Sequence, residues 1–81
     1  MGRTTIHTKE YRALVGILRD LRLKAGLTQA ELSERLGRPQ SFVSKVERGE
    51  RRIDLVELRQ LCQEMGANFL NVVSQWERSL H

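Results

Sequence analysis

Apolar residues recur every three or four positions over most of the chain, which is the period of an amphipathic helix. The first such run covers residues 9–25; Thr8 precedes it as a cap and Gly26 ends it. Its predicted buried face consists of Tyr11, Leu14, Val15, Leu18, Leu21 and Ala25. No segment alternates with a period of two over more than a few residues, so the pattern predicts no strand.

Two short helices follow, separated by a turn that contains Gly37 and Pro39. Thr28 and Glu31 have the spacing of a capping box, which marks the start of the second helix, and Gly37 ends it. The third helix is predicted from Gln40 to about Arg48. Isolated helices of this length are only marginally stable in water. Something other than helix propensity must therefore account for their arrangement.

Two longer helices complete the predicted fold. Asp54 and Glu57 repeat the capping-box spacing at the start of the fourth helix, and Gly66 ends it. The predicted buried face of that helix is Leu55, Leu58, Leu61, Cys62 and Met65. The fifth helix covers about residues 68–80, and its apolar stripe is Phe69, Val72, Val73, Trp76 and Leu80. We therefore predict an all-α, five-helix single domain over residues 8–81, with residues 1–7 as a flexible tail.

Charge and composition limit the classes of function that the chain can have. A formal charge of +4 on 81 residues favours acidic partners, with nucleic acid first among them. One cysteine and two histidines near the ends, His7 and His81, predict neither a disulfide nor a metal site, and no cofactor or small-molecule ligand is expected. The sequence has no histidine away from its ends and no glycine-rich phosphate loop, which also argues against an enzyme. Without an apolar run of membrane length or a secretory signal, we expect a cytoplasmic protein that does not enter membranes.

The outward face of the third helix suggests a surface that reads DNA bases. It carries Gln40, Ser41, Ser44, Lys45 and Arg48, of which none is negative and all can donate hydrogen bonds. A helix fits the major groove of B-DNA, where glutamine can read adenine, lysine or arginine can read guanine, and serine can serve either. Gln40, Ser41, Ser44 and Lys45 are therefore the predicted base contacts.

Positive charge concentrates around the same helix. Between residues 38 and 52 there are five Lys or Arg residues and two Glu residues, a local charge of +3. Such side chains contact the phosphate backbone, which gives affinity and salt dependence but little sequence choice. The predicted phosphate contacts are Gln29 at the start of the second helix, Arg38 in the turn, and Arg48, Arg51 and Arg52 after the third helix.

Between about Leu14 and Gly66 the sequence resembles the helix-turn-helix domain of phage repressor and Cro proteins, the Xre-like family. The matching positions are Gln29, Ser33, Leu36, Gly37, Val43, Val46 and the E-x-G of residues 47–49. The resemblance implies that Gln29 contacts a phosphate and that Gln40, Ser41 and Lys45 contact bases. It also implies that Arg22, at the end of the first helix, pairs with Glu47.

The expected function is sequence-specific binding of duplex DNA by a transcriptional repressor, acting as a homodimer on an inverted-repeat operator. The fifth-helix stripe either closes the monomer core or forms a two-fold interface, and its five apolar residues are the candidate dimerisation residues. One alternative is an autoregulating antitoxin or restriction-system controller. Another is a protein-interaction adaptor with the same fold, whose partner binding would not depend on salt.

Overall fold

A computed structural model of the chain describes residues 8–81, so the predicted flexible tail at residues 1–7 lies outside the described residues. Residues 8–81 form five α-helices and no strand. The helices are α1 (Lys9–Lys24), α2 (Gln29–Arg35), α3 (Phe42–Glu47), α4 (Leu55–Glu64) and α5 (Phe69–Ser79). The all-α, five-helix prediction is confirmed.

Reciprocal hydrogen bonds fix the starts of α2 and α4. The Glu31 N–H donates to the Thr28 hydroxyl at 3.0 Å, and the Thr28 N–H donates to the Glu31 carboxylate at 2.8 Å. Asp54 and Glu57 form the same pair of bonds at 2.7 and 3.0 Å. Each box satisfies two N–H groups that a helix N-terminus otherwise leaves without a partner. Both capping boxes stand where the sequence predicts them.

The turn between α2 and α3 corrects the predicted start of the third helix. Gly37 has φ 68°, a left-handed conformation that side-chain-bearing residues rarely adopt, and it ends α2. The Phe42 N–H then donates to the Pro39 carbonyl at 2.9 Å, which closes a separate turn over residues 39–42. Helix α3 therefore begins at Phe42, and the predicted start at Gln40 is wrong. Gln40 and Ser41 lie in the turn that precedes the helix.

All five helices contribute to one core. Its buried apolar residues are Tyr11, Leu14, Val15, Ile17, Leu18, Leu27, Leu32, Phe42, Val43, Val46, Leu58, Leu61, Cys62, Met65 and Val72. Two residues predicted to be buried are not: Leu55 is 68% exposed because it begins α4, where core burial starts only at Glu57, and Ala25 is exposed at the end of α1. Ile17 is buried although it was not part of the buried face predicted for the first helix.

Helix α5 completes this core and is tied to the start of α1. Val72 is only 3% exposed, and Phe69, Val73 and Trp76 pack against the core. The Trp76 indole N–H donates to the Glu10 carbonyl at 2.9 Å. Four of the five residues of the predicted α5 stripe thus close the monomer core, which was one of the two roles left open for it.

Candidate nucleic-acid interface

A buried serine joins the two short helices. The Ser33 hydroxyl donates to the Gln29 carbonyl at 2.9 Å and accepts from the Val43 N–H at 3.0 Å, and Ser33 is 0% exposed. Ser41, which precedes α3, makes no side-chain cap. A side chain of α2 therefore satisfies a first-turn N–H of α3, which fixes where α3 begins relative to α2.

A buried ion pair connects the other end of α3 to α1. Arg22 Nε and Nη2 lie 2.7 and 3.0 Å from Glu47 Oε2 and Oε1, and the two side chains are only 8% and 7% exposed. Arg22 Nη1 also donates to the Leu27 carbonyl at 2.9 Å. Buried pairs of this kind fix geometry more dependably than they add stability. The pair that the resemblance implies is thus formed in the structure, and it sets the position of α3.

Gln29 belongs to the same buried network. Its side-chain Nε2 donates to Glu47 Oε1 at 2.8 Å, although Gln29 was predicted to contact a phosphate. The amide group has a second N–H, and the first backbone N–H groups of α2 are directed out of the helix end. The side chain therefore links α2 to α3 and retains one donor for an outside ligand.

Two of the four predicted base contacts, Ser44 and Lys45, lie on α3, and the other two, Gln40 and Ser41, lie in the turn that precedes it. Gln40, Ser41 and Lys45 are exposed and Ser44 is partly buried, whereas Phe42, Val43 and Val46 on the other side are buried in the core. All four side chains can donate hydrogen bonds and none is negative. The result is a set of solvent-accessible polar donors on α3 and the turn before it, and α3 is connected to α2 through Ser33 and to α1 through Glu47.

The arginines around α3 have partners within the chain that the sequence analysis missed. Arg51 donates to both oxygens of Glu57 at 2.9 Å, and Arg38 Nη2 donates to Glu57 Oε2. The guanidinium carbons of Arg38 and Arg51 lie 4.7 and 5.0 Å from the centre of the Phe42 ring. The sequence indicated Glu57 only as a helix cap. The structure makes it the centre of an ion cluster that reaches from the α2–α3 turn to the loop after α3.

Opposing effects act on the Glu57 carboxyl, whose side chain is 8% exposed. Burial is the largest single influence and raises its pKa. The hydrogen bonds from Arg51, from the Asp54 N–H and from Arg38, together with the Arg51 charge, outweigh burial, so the pKa lies below its ordinary value. Glu57 therefore remains ionised at neutral pH.

The other two arginines predicted to contact phosphates, Arg48 and Arg52, have different neighbours. Arg48 Nε is 3.0 Å from Glu50 Oε2 in an exposed ion pair, which raises the pKa of Arg48 and lowers that of Glu50. The Arg52 guanidinium lies 5.2 Å from the centre of the Tyr11 ring. The four predicted arginines thus differ in their surroundings: Arg38 and Arg51 contact Glu57 and Phe42, whereas Arg48 pairs with Glu50 and Arg52 lies over Tyr11.

Neither metal binding nor membrane crossing is indicated by residues 8–81. In that range no group of three or more His, Cys, Asp or Glu residues could hold a metal ion. None of the helices described there combines the length and apolar character needed to cross a membrane.

Comparison with known proteins also identifies a helix-turn-helix protein. Residues 18–70 match the family model described as helix-turn-helix. The chain is also 36% identical over 66 residues to y4dJ of Sinorhizobium fredii, described as an uncharacterized HTH-type transcriptional regulator. That match covers 80% of this chain and 86% of the relative.

Solved structures extend the similarity over nearly the whole chain. An XRE-family like protein from Pseudomonas syringae pv. tomato superposes with a TM-score of 0.85 at 47% identity, covering 93% of this chain and 92% of that one. The clp gene regulator ClgR of Corynebacterium glutamicum superposes with a TM-score of 0.77 at 28% identity, covering 89% and 77%.

Proposed function

Because this chain belongs to the Xre-like helix-turn-helix family of DNA-binding transcriptional regulators, we propose that it is a sequence-specific repressor that binds duplex DNA as a homodimer. The family and fold are those of regulators, not of enzymes. The observation that carries the proposal is the solvent-facing surface of α3 and of the turn before it, where four polar side chains can donate hydrogen bonds and α3 is connected to its neighbours through Ser33 and Glu47. We assign the protein to the cytoplasm, where its DNA target is accessible.

Base recognition falls to Gln40, Ser41, Ser44 and Lys45. When a helix-turn-helix protein binds DNA, the N-terminal residues of the second helix of the motif lie in the major groove and contact base edges. Gln40 and Ser41 occupy the turn immediately before α3 and would therefore lie close to the bases. Glutamine pairs with adenine through two hydrogen bonds, lysine donates to guanine, and serine is compatible with either. Helix α3 has only six residues and Lys45 lies in its last turn, so the proposed base contacts extend from the turn before α3 along the helix.

Contacts to the phosphate backbone fall to Gln29, Arg38, Arg48, Arg51 and Arg52. Gln29 would approach one strand from the start of α2, and the arginines would approach the backbone around α3. Each contact that neutralises a phosphate releases counterions and adds to the salt dependence of binding. Binding should therefore weaken steeply with salt, in contrast to an adaptor that binds a protein partner.

Dimerisation would use the surface that α5 leaves after it has closed the monomer core. Of the candidate residues, Val72 is buried within the chain, whereas Phe69, Val73, Trp76 and Leu80 are partly exposed. The neighbouring Leu70 is 72% exposed and enlarges the apolar surface. A two-fold dimer would present two copies of α3 to half-sites about one helical turn apart.

The test is selection of bound sequences from random duplex DNA, followed by affinity measurements against salt concentration. An enriched inverted repeat with half-sites about one turn apart supports a dimeric operator reader. Salt-dependent binding without an enriched motif contradicts sequence-specific reading. Failure to bind any duplex contradicts the proposed function and favours the adaptor. Placing the enriched site between a promoter and a reporter gene then tests repression, which predicts that the protein lowers reporter output.

A further inference from the structure

We propose that Glu57 is a positioning residue that holds Arg38 and Arg51 at one cleft beside α3, where together they bind a single backbone phosphate of DNA. This inference rests on the proposed function, because it names the group that organises part of the phosphate-binding surface. Glu57 itself would not contact DNA. Its effect on binding would pass entirely through the two arginines.

The cleft has the composition of an anion site. It is lined by Arg38, Pro39, Ser41, Phe42, Lys45 and Arg51. Three of these side chains are cationic, one is a hydroxyl donor and one is an aromatic ring. Counting Glu57, the cluster carries three positive charges and one negative charge, which leaves a charge of +2 toward an incoming phosphate. Two of the lining residues, Ser41 and Lys45, are also proposed to contact bases, so the cleft is continuous with the proposed base-reading surface.

Glu57 binds the two arginines from the buried side of the cluster, so both side chains remain accessible to solvent. The Glu57 side chain is 8% exposed, whereas those of Arg38 and Arg51 are 35% and 38% exposed. A guanidinium has five N–H donors in a rigid plane. Arg38 uses one of them on Glu57, and Arg51 uses two on Glu57 and one on the Arg52 carbonyl, so each retains at least two donors for a phosphate. Both groups also lie over the Phe42 ring, a cation–π arrangement that further restrains them. A carboxylate, a ring and an arginine pair thus form a built site.

Two opposing effects of Glu57 on phosphate binding can be compared. Its negative charge repels a phosphate, but two guanidinium groups offset that charge and salt screens interactions over about 8 to 10 Å. Its ordering effect is larger: immobilising one long side chain during binding weakens affinity by roughly two- to tenfold, and Glu57 holds two such side chains in advance. We therefore expect the carboxylate to strengthen binding to an anion.

The decisive variant is Glu57→Gln, because charge counting and positioning predict opposite results. The change raises the net charge by one and keeps the side-chain size, and glutamine is itself a capping-box residue, so α4 retains its cap. Charge counting predicts tighter binding. Positioning predicts affinity weaker by roughly three- to tenfold. Fluorescence anisotropy with a labelled mixed-sequence duplex of about two helical turns measures this, because phosphate contacts do not depend on sequence.

Glu77→Gln is the matched control. It makes the same change in charge at an exposed carboxylate on α5 that pairs with His81 and with none of the proposed phosphate-binding arginines. We expect unchanged or slightly tighter binding. Weakening equal to that of Glu57→Gln would overturn the proposal, since loss of any carboxylate would then have the same effect. Glu57→Gln that is folded by circular dichroism and binds as tightly as the wild type, or more tightly, would also overturn it.

A variant that lacks both arginines tests whether Glu57 acts through them. In an Arg38→Gln/Arg51→Gln background, adding Glu57→Gln should change affinity less than twofold, and a full loss there would contradict the proposal.

If Glu57→Gln does not fold, the arginine variants test whether Arg38 and Arg51 bind one phosphate. Two arginines that serve one phosphate should give a double variant whose loss is smaller than the product of the single losses, whereas multiplicative losses would indicate separate phosphates. A wild type that binds no duplex would instead overturn the proposed function itself.

Discussion

The Ser33 hydroxyl and the Val43 N–H, ten residues apart in the sequence, are joined by a hydrogen bond of 3.0 Å. Through it α2 caps the first turn of α3, which has no side-chain cap of its own. Ser33→Ala would leave the buried Val43 N–H without a partner. We expect the free energy of unfolding to fall by about 1–3 kcal/mol, measured by urea denaturation. Ser74→Ala, at an exposed serine on α5, is the control and should change stability by less than about 0.5 kcal/mol.

Glu47→Gln should destabilise the protein strongly. It leaves the Arg22 guanidinium charged and buried without its carboxylate, which costs about 3–5 kcal/mol in comparable cases. Denaturant unfolding measures the change. The double variant Arg22→Met/Glu47→Leu, which removes both charges, should be more stable than Glu47→Gln. Arg48→Ala breaks only an exposed pair and should have little effect; an equally large loss there would contradict this account.

Lys45→Ala should relax recognition at one base position. We expect a loss of about 1–3 kcal/mol on the preferred duplex and a weaker preference at that position, measured by titrating a panel of single-base variants. Arg78→Ala removes the same charge from the last turn of α5 and should leave base preference intact. Unchanged affinity and unchanged preference for Lys45→Ala would show that this lysine does not read a base.

Leu70→Lys should shift the protein toward the monomer, since it places a charge on the most exposed apolar side chain of α5. Sedimentation at matched concentrations measures the mass. Trp76→Ala should also favour the monomer, but it removes the bond to the Glu10 carbonyl and should lower stability as well. Leu55→Lys, at a similarly exposed leucine of α4, is the control. Dissociation by Leu55→Lys alone would place the interface on α4.

Stability should decrease in acid partly through Glu57. The pKa of this carboxyl lies below its ordinary value in the folded chain. Its ionised form therefore stabilises the fold above about pH 4.3, the unfolded value, and this contribution is lost as the pH falls through the folded pKa. Glu57→Gln should lower stability at pH 7 and make the acid decrease shallower, measured by urea denaturation between about pH 3 and 7. Glu31 and Glu50, whose pKa values are also lowered, keep some slope in both proteins.

The helices and their ends could be predicted because the signals are local. A capping box such as Thr28–Glu31 acts over three residues, and a left-handed glycine such as Gly37 ends a helix by its own conformation. Burial depends on which neighbours cover a side chain. That is why the helical period placed Leu55 in the core although the first turn of α4 lies in solvent.

The surroundings of the site were less predictable. The basic cluster and the polar face of α3 are contiguous in sequence, so their positions could be inferred. The partnership between Arg38 and Glu57 joins residues 19 positions apart, and nothing in one sequence indicates which of several arginines faces which carboxylate. Likewise, Pro39 signalled a turn but not where it ends, so the predicted helix began two residues before Phe42.

The bond between Trp76 and the Glu10 carbonyl also gives the protein an optical reporter. Trp76 is the only tryptophan in the sequence, and it is partly buried where α5 meets α1. If α5 detaches, the indole enters water and its fluorescence should shift to longer wavelength while the circular dichroism of the other helices persists. Emission and helicity measured together can therefore separate undocking of α5 from unfolding of the whole chain, without an added label.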